Sequence, residues 1–338
     1  MSQRKPVYII AEAGVNHNGD FPLAMEMITV AADAGADAVK FQTFKANAVV
    51  TCMAPKADYQ NRTAPGSDTQ FEMIRKFELG EEAHFRLLAQ CNHLGIDFIS
   101  SPFDLASIDL LARMGLRLLK IPSGEITNLP YLRKIAALGK KVILSTGMAV
   151  LDEIEAAVQI LLEGGLSKPD ITLLHCITDY PTPYEDVNLR TMATLMQAFP
   201  GIAIGYSDHS IGIEIPIAAV AMGATVLEKH FTMNTKMDGP DHHASLDPKH
   251  FARMVASIRN VERALGDGIK QPTRAERSNM AVVRKSIVAA GTIRKGQPFT
   301  PTNLTTKRPG TGLSPMVWDD VIGKIAERDY EADDFIWR

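Results

Sequence analysis

Short β-rich runs alternate with helical stretches along the first three-quarters of the chain, and this alternation limits the fold more than any other feature. The runs lie at 7–11, 37–41, 97–100, 117–121, 141–144, 171–174, 202–205 and 225–227. Between them, apolar residues recur at helical spacing. Leu23, Met27, Val30, Ala31 and Ala34 share one face before Gly35 stops it, and Ile154, Val158, Leu161 and Leu162 follow Asp152 and Glu153. Asp104 is placed to cap a third helix. A last one opens with Asp247 as N-cap and Pro248 behind it, then carries Phe251, Met254, Val255, Ile258, Val261 and Leu265. Strands separated by helices pair in parallel, because the crossover needs a helix-sized connection. About eight such units favour closure into a (β/α)8 barrel, an α/β TIM barrel, over an open doubly wound sheet.

Two connections are too long for simple turns: 43–70, which holds Pro55, Pro65 and Gly66, and 231–246. Loops of that length serve as lids or binding loops or are disordered, and both follow strands, at the catalytic rim of such a fold. A barrel domain is therefore expected over 1–265. Residues 266–283, with Gly266, Gly268 and Pro272, read as a linker, and the basic residues from Arg274 to Lys295 as a solvated face. Residues 284–338 read as a small β-rich module with strands near 286–290 and 303–308. A core of that size is marginal alone, so the module is expected to dock on a barrel, its own or a partner's.

Composition narrows the class. The 338 residues carry a net charge of -3, from 36 Lys+Arg against 39 Asp+Glu, which gives no basic field for nucleic acid. Cys52, Cys91 and Cys176 are scattered without a paired spacing, as in a reducing compartment. No apolar run approaches the ~18 residues of a membrane span, and no signal-type core precedes residue 7, so the cytoplasm is the expected location.

Charged residues inside parallel strands are costly unless paired or used. Here the C-terminal end of nearly every run carries a polar group: Glu12, Lys40 with Gln42, Ser101, Lys120 with Ser123 and Glu125, Ser145, His175 with Tyr180, Ser207 with His209, and Glu228 with His230. Each has a bland explanation alone. Lys40 could be a salt-bridged lysine, a strand-end histidine a satisfied core residue, Ser145 a helix cap. Their gathering at one end does not. A barrel collects these ends at its mouth, where active sites of this fold lie. Lys40 and Lys120 with the hydroxyls of Ser123, Ser145 and Ser207 suit a phosphorylated or carboxylated anion. His209 and His230 can converge on one cation beside Glu12 or Glu228, a donor set for Mn, Fe, Co or Zn, with His242 and His243 as competing ligands.

Read in order, these ends form motifs: AEAGVNHNG at 11–19, VKFQT at 39–43, SPFD at 101–104, KIPSGE at 120–125, LSTGM at 144–148, LHC at 174–176 with YPTP at 180–183, GYSDH at 205–209, LEKHF at 227–231, GPD at 239–241 and KRPG at 307–310. The series resembles the sialic acid synthase family, N-acetylneuraminate synthase and its legionaminate and pseudaminate relatives. The resemblance implies a C-terminal antifreeze-protein-like domain, a domain-swapped homodimer, and condensation of phosphoenolpyruvate with an N-acyl amino sugar on a divalent metal, Mn with Mg or Co as alternatives. It makes His209 and His230 the metal ligands and Lys40, Lys120, Ser123, Ser145 and Ser207 phosphoenolpyruvate contacts. Glu12, Gln42, Glu125, Tyr180 and Asp241 become the sugar-side and acid–base set, and Arg308 holds the N-acyl group in the neighbouring subunit. Thr178 stands where some relatives have Asn, so a side-chain amide contact is not expected there.

N-acetylmannosamine, giving N-acetylneuraminate, is the first expectation for the sugar; the alternative is 2,4-diacetamido-2,4,6-trideoxymannose, giving N,N'-diacetyllegionaminate. The long 43–70 loop, with Tyr59 and Gln60, is the expected selector. A Schiff-base aldolase using Lys120 and a carbohydrate- or ice-binding tail on a scaffold barrel are the rival readings.

Overall fold

A computed structural model describes residues 5–63, 66 and 69–337, without the side chains of Tyr59 and Arg62. It contains eight parallel strands: β1 (Tyr8–Gly14), β2 (Ala38–Thr43), β3 (Asp97–Pro102), β4 (Leu118–Ile121), β5 (Lys141–Ser145), β6 (Ile171–His175), β7 (Ala203–Asp208) and β8 (Val226–His230). Their hydrogen-bonded order is β3-β2-β1-β8-β7-β6-β5-β4, and β3 and β4 at the two ends lie alongside each other, so the sheet curls into a TIM-like barrel. All eight expected strands are present, but β1, β7 and β8 run three residues further than their apolar runs. Backbone pairing continues through the polar residues, which hydropathy alone reads as loop.

The pleat sorts each strand into two faces. Outward residues such as Ile9, Val39 and Leu227 pack beneath the helices in the main core. Inward, Ile10, Ala38, Ile99, Ile143, Leu174 and Val226 form an apolar plug. Two residues on, the same face carries Glu12, Lys40, Ser101, Ser145 and Glu228. A period of two thus sets the charged rung directly above the plug. The helices begin where expected: Asp104 Oδ1 accepts from Ser107 N at 2.8 Å, and Asp247 Oδ1 from His250 N at 2.8 Å.

The long 43–70 connection is not structureless. It contains the helical segments Ala46–Val49 and Asp58–Thr63, and Thr69 caps Gln70–Arg75 by accepting from Glu72 N at 3.2 Å. Val15, Phe44, Met73 and Phe77 bury themselves in a small core of their own beneath it. Its neck is tied shut: Ala46 N donates to Glu78 Oε1 at 2.7 Å, and Lys45 N to Asp104 Oδ2 at 3.0 Å. Pro65 lies outside the described residues.

The chain divides into two compact units, Met1–Gly266 and Asp267–Arg338. In the second, the stretch read as linker contains a helix, Arg274–Val283, started by a reciprocal cap between Thr273 and Glu276. None of its side chains is buried, and so its apolar spacing is not a core signal. β9 (Ser286–Ala289) and β10 (Leu304–Lys307) pair antiparallel over a core that includes Ile287, Phe299, Leu304, Tyr330 and Ile336. Among the described residues, no helix is long and apolar enough to cross a membrane.

Candidate active site

Inside the barrel mouth the charged rung closes around one carboxylate. Glu228 on β8 lies 3.6 Å from Lys40 Nζ and 3.5 Å from Lys120 Nζ, and Ser207 donates to its Oε1 at 2.9 Å. β4 stands opposite β8 in the ring, so Lys120 reaches Glu228 across the bore. Lys40 also pairs with Glu12 at 2.8 Å and donates to Ser101 Oγ at 3.2 Å; Lys120 donates to Ser145 Oγ at 2.7 Å. Both lysines are buried, and Lys40 is salt-bridged, as its simpler reading has it.

Burial opposes ionisation of Glu228, but Lys120, Lys40 and the Ser207 hydroxyl outweigh it and hold its carboxyl down at about 2. Glu12 goes the other way. Burial is the largest effect, Lys40 resists it, the Glu228 charge reinforces it, and the Glu12 carboxyl is pushed up to about 7. Two carboxylates in one cavity with acidities driven apart are the usual arrangement for acid–base work. Burial likewise lowers Lys120 despite Glu228, whereas for Lys40 the two glutamates overcome burial and raise it.

The β1–β2 ladder shifts register between Glu12 and Gly14, and Gly14 takes a positive φ of 52°. A β-carbon at Gly14 would come within 3.1 Å of Glu12 Oε1. Glycine here both permits the bulge and leaves room for the carboxylate it re-aims. Across the mouth, Gly147 N donates to Ser123 Oγ at 3.0 Å, and a β-carbon at Gly147 would meet that oxygen at 2.9 Å.

His209, just past β7, and His230, ending β8, place their ring centroids 5.2 Å apart, with Tyr180 packed 4.1 Å from His209. His209 Nδ1 is engaged with the Ile177 carbonyl, which leaves Nε2 as the free lone pair. His230 Nδ1 is buried without a hydrogen-bond partner, 3.8 Å from Asp241 Oδ2. Burial lowers the pKa of His209 to about 4 and that of His230 well below its usual value, so both rings are neutral, as metal ligands must be. Among the described residues no three His, Cys, Asp or Glu side chains are grouped to hold an ion. Two neutral imidazoles, one with an orphaned buried nitrogen, fit a divalent cation that completes its shell with water or substrate oxygens. The competing ligands do not fit: His242 bonds Thr232 Oγ1 at 2.7 Å and Asn18 Oδ1 at 3.3 Å, and His243 is exposed.

These groups surround a cavity of about 160 Å³, whose lining includes Glu12, Lys40, Gln42, Lys120, Ser123, Ser145, Tyr180, Ser207, His209, Glu228 and His230. Asp241 lines a neighbouring recess that shares Gln42 and Tyr180 with it. Glu125 is the exception within the barrel. It ends the turn Ser123–Glu125, is absent from the cavity wall, and accepts from Asn128 Nδ2 at 2.6 Å. Arg308 lies exposed in the second unit, directly after β10. His175 faces out of the barrel to the Val187 carbonyl at 2.8 Å, one pleat position away from the interior face of Leu174. The sequence reading underrated Glu228; its place two residues from both Val226 and His230 was the signal that put it on the inner face.

Fold and site together define a barrel whose mouth gathers two buried lysines and two buried glutamates beside an imidazole pair. Residues 27–270 match the NeuB family and residues 284–336 the SAF domain. The chain is 52% identical to the N,N'-diacetyllegionaminic acid synthase of Campylobacter jejuni, over 98% of this chain and 99% of that protein. It is 48% identical to the enzyme of the same name from Legionella pneumophila, over 94% and 89%. Among solved structures, the N-acetylneuraminic acid synthetase of Leptospira borgpetersenii, in complex with citrate, matches with a TM-score of 0.71 at 36% identity, over 82% of this chain and 90% of that one. The chain belongs to the NeuB family of sialic acid synthases.

Proposed function

We propose that this protein condenses phosphoenolpyruvate with 2,4-diacetamido-2,4,6-trideoxymannose to give N,N'-diacetyllegionaminate and phosphate. The observation that carries the chemistry is the pair of buried ammonium groups, Lys40 and Lys120, set around one cavity with the hydroxyls of Ser123, Ser145 and Ser207. The choice of sugar rests on the 52% and 48% identical relatives, which favour it over the N-acetylmannosamine first expected from sequence.

In this reading the lysines and hydroxyls hold the phosphate and carboxylate of phosphoenolpyruvate. Its C3 forms a bond to the sugar's aldehyde carbon, and water adds at C2. Glu12 takes a proton from that water and passes it to the former aldehyde oxygen. As the C2–O bond to phosphate breaks, the C2 hydroxyl gives its own proton to the departing phosphate and becomes the carbonyl, the departing charge being held by the lysines. His209 and His230 would hold a divalent cation, which when bound supplies Lewis-acid polarisation of the aldehyde oxygen. Gln42, Tyr180 and Asp241 orient the sugar. The assembly is a domain-swapped homodimer in which Arg308 reaches the sugar's N-acyl group in the partner's barrel.

The test is phosphate release with phosphoenolpyruvate, manganese and each sugar. A larger kcat/KM on the diacetamido sugar is expected; a preference for N-acetylmannosamine would overturn the choice of substrate.

A further inference from the structure

Next to the charged cavity lies a recess of a different character, about 230 Å³ in volume, walled by Val15, Phe44, Val49, Met73, Ile74 and Phe77. Gln42, Phe103 and Tyr180 line both spaces, so the recess continues the cavity rather than forming a separate site. Its polar groups are few: Gln60 and Gln70, besides Gln42, Tyr180 and Asp241 on the side of the shared wall. Among the described residues, no lysine or arginine lines it. The apolar wall comes mostly from the 43–78 excursion, whose side chains form their own small core while leaving this volume open.

We propose that this recess is the subsite for the methyl-bearing end of the sugar, and that it selects a 6-deoxy substrate over one carrying a hydroxyl or phosphate at C6. The inference deepens the reading above and rests on it. The reacting aldehyde must lie beside the lysine-held phosphoenolpyruvate and the imidazole pair. The chain from C4 to C6 then extends past the shared wall, and the C6 methyl enters the apolar space. The C4 amide stays at Gln42 and Asp241, which offer a donor and an acceptor. A C6 hydroxyl would lose its water there against a mostly apolar wall whose Gln60 and Gln70 amides already bond each other, and a C6 phosphate would find no cation among the described residues. Gln60 belongs to this wall; the side chain of Tyr59, the other residue expected to select the sugar, lies outside the described residues.

The experiment compares kcat/KM, by phosphate release, on two sugars that both carry acetamides at C2 and C4 and differ only at C6, methyl against hydroxymethyl. The intact enzyme should favour the 6-deoxy sugar by about 10- to 100-fold, the range for apolar-pocket discrimination. Ile74→Asn, and the nearly isosteric Val49→Thr should the first misfold, should cut that ratio to within about 3-fold by giving the hydroxyl a partner. A wild-type ratio near one, or variants that slow both sugars equally, would overturn the subsite while leaving the synthase reading intact. No phosphate release with any sugar would overturn the reading itself, and the subsite with it.

Discussion

Lys229 Nζ lies 2.6 Å from Asp208 Oδ2, and neither side chain has any exposed surface. The pair joins the ends of β7 and β8, one residue before each of the two imidazoles, and Lys229 also reaches the Ser210 carbonyl. Asp208 Oδ1 is itself held by Tyr206 and Ser210 at 3.0 and 2.8 Å. A charge pair this enclosed is worth little by itself, but breaking it strands a buried charge. Lys229→Met is therefore expected to destabilise the barrel by about 3–5 kcal/mol, read from the urea midpoint. An unchanged midpoint would show that the pair does not contribute to the barrel's stability.

The opposed acidities of Glu12 and Glu228 give a pH dependence with a definite sign. Glu12 must be ionised to accept a proton, and its carboxyl sits up at about 7. The acid limb of kcat/KM should fall about tenfold per pH unit below that value and be lost, with most of the activity, in Glu12→Gln. Stability runs in reverse. A folded-state value raised above the unfolded one gives stabilisation that is complete below the unfolded value and lost as pH rises through about 7. An acid limb that stays in place in the variant would assign it to another group.

Lys120 separates the condensing enzyme from the Schiff-base reading. Its amine donates to Ser145 and faces Glu228, an electrostatic position. Lys120→Ala should cost about 10²–10³ in kcat. Borohydride with carbonyl substrate should leave the wild type unlabelled, whereas a chelator should stop turnover and manganese restore it. Covalent trapping at Lys120 would establish the aldolase route instead.

The proposed swapped assembly predicts a signature of its own. Lys120→Ala and Arg308→Ala chains, each inactive alone, should regain up to about a quarter of wild-type activity when refolded together, since half the dimers are mixed and each holds one intact site. Separate inactive preparations with no recovery on mixing would place Arg308 in its own chain's site or outside any.

The barrel was legible because buried parallel strands are apolar runs whose final inward positions break the pattern with charge. Lys40, Lys120, His209 and His230 could be picked from such breaks. The link from Lys120 to Glu228 could not, for it joins residues 108 positions apart across a bore whose closure no local pattern records. The outward turn of His175 is a one-residue phase difference, visible only once the strand's inner face is known. The short helices within 43–70 escaped because a four- or six-residue segment carries too few turns to show periodicity.

The pinched neck at Lys45, Ala46 and Glu78 has an evolutionary corollary. Since the excursion departs and returns at nearly one point, nature can exchange it as a cassette, altering its lining by insertion or replacement while the eight strands beneath keep their register.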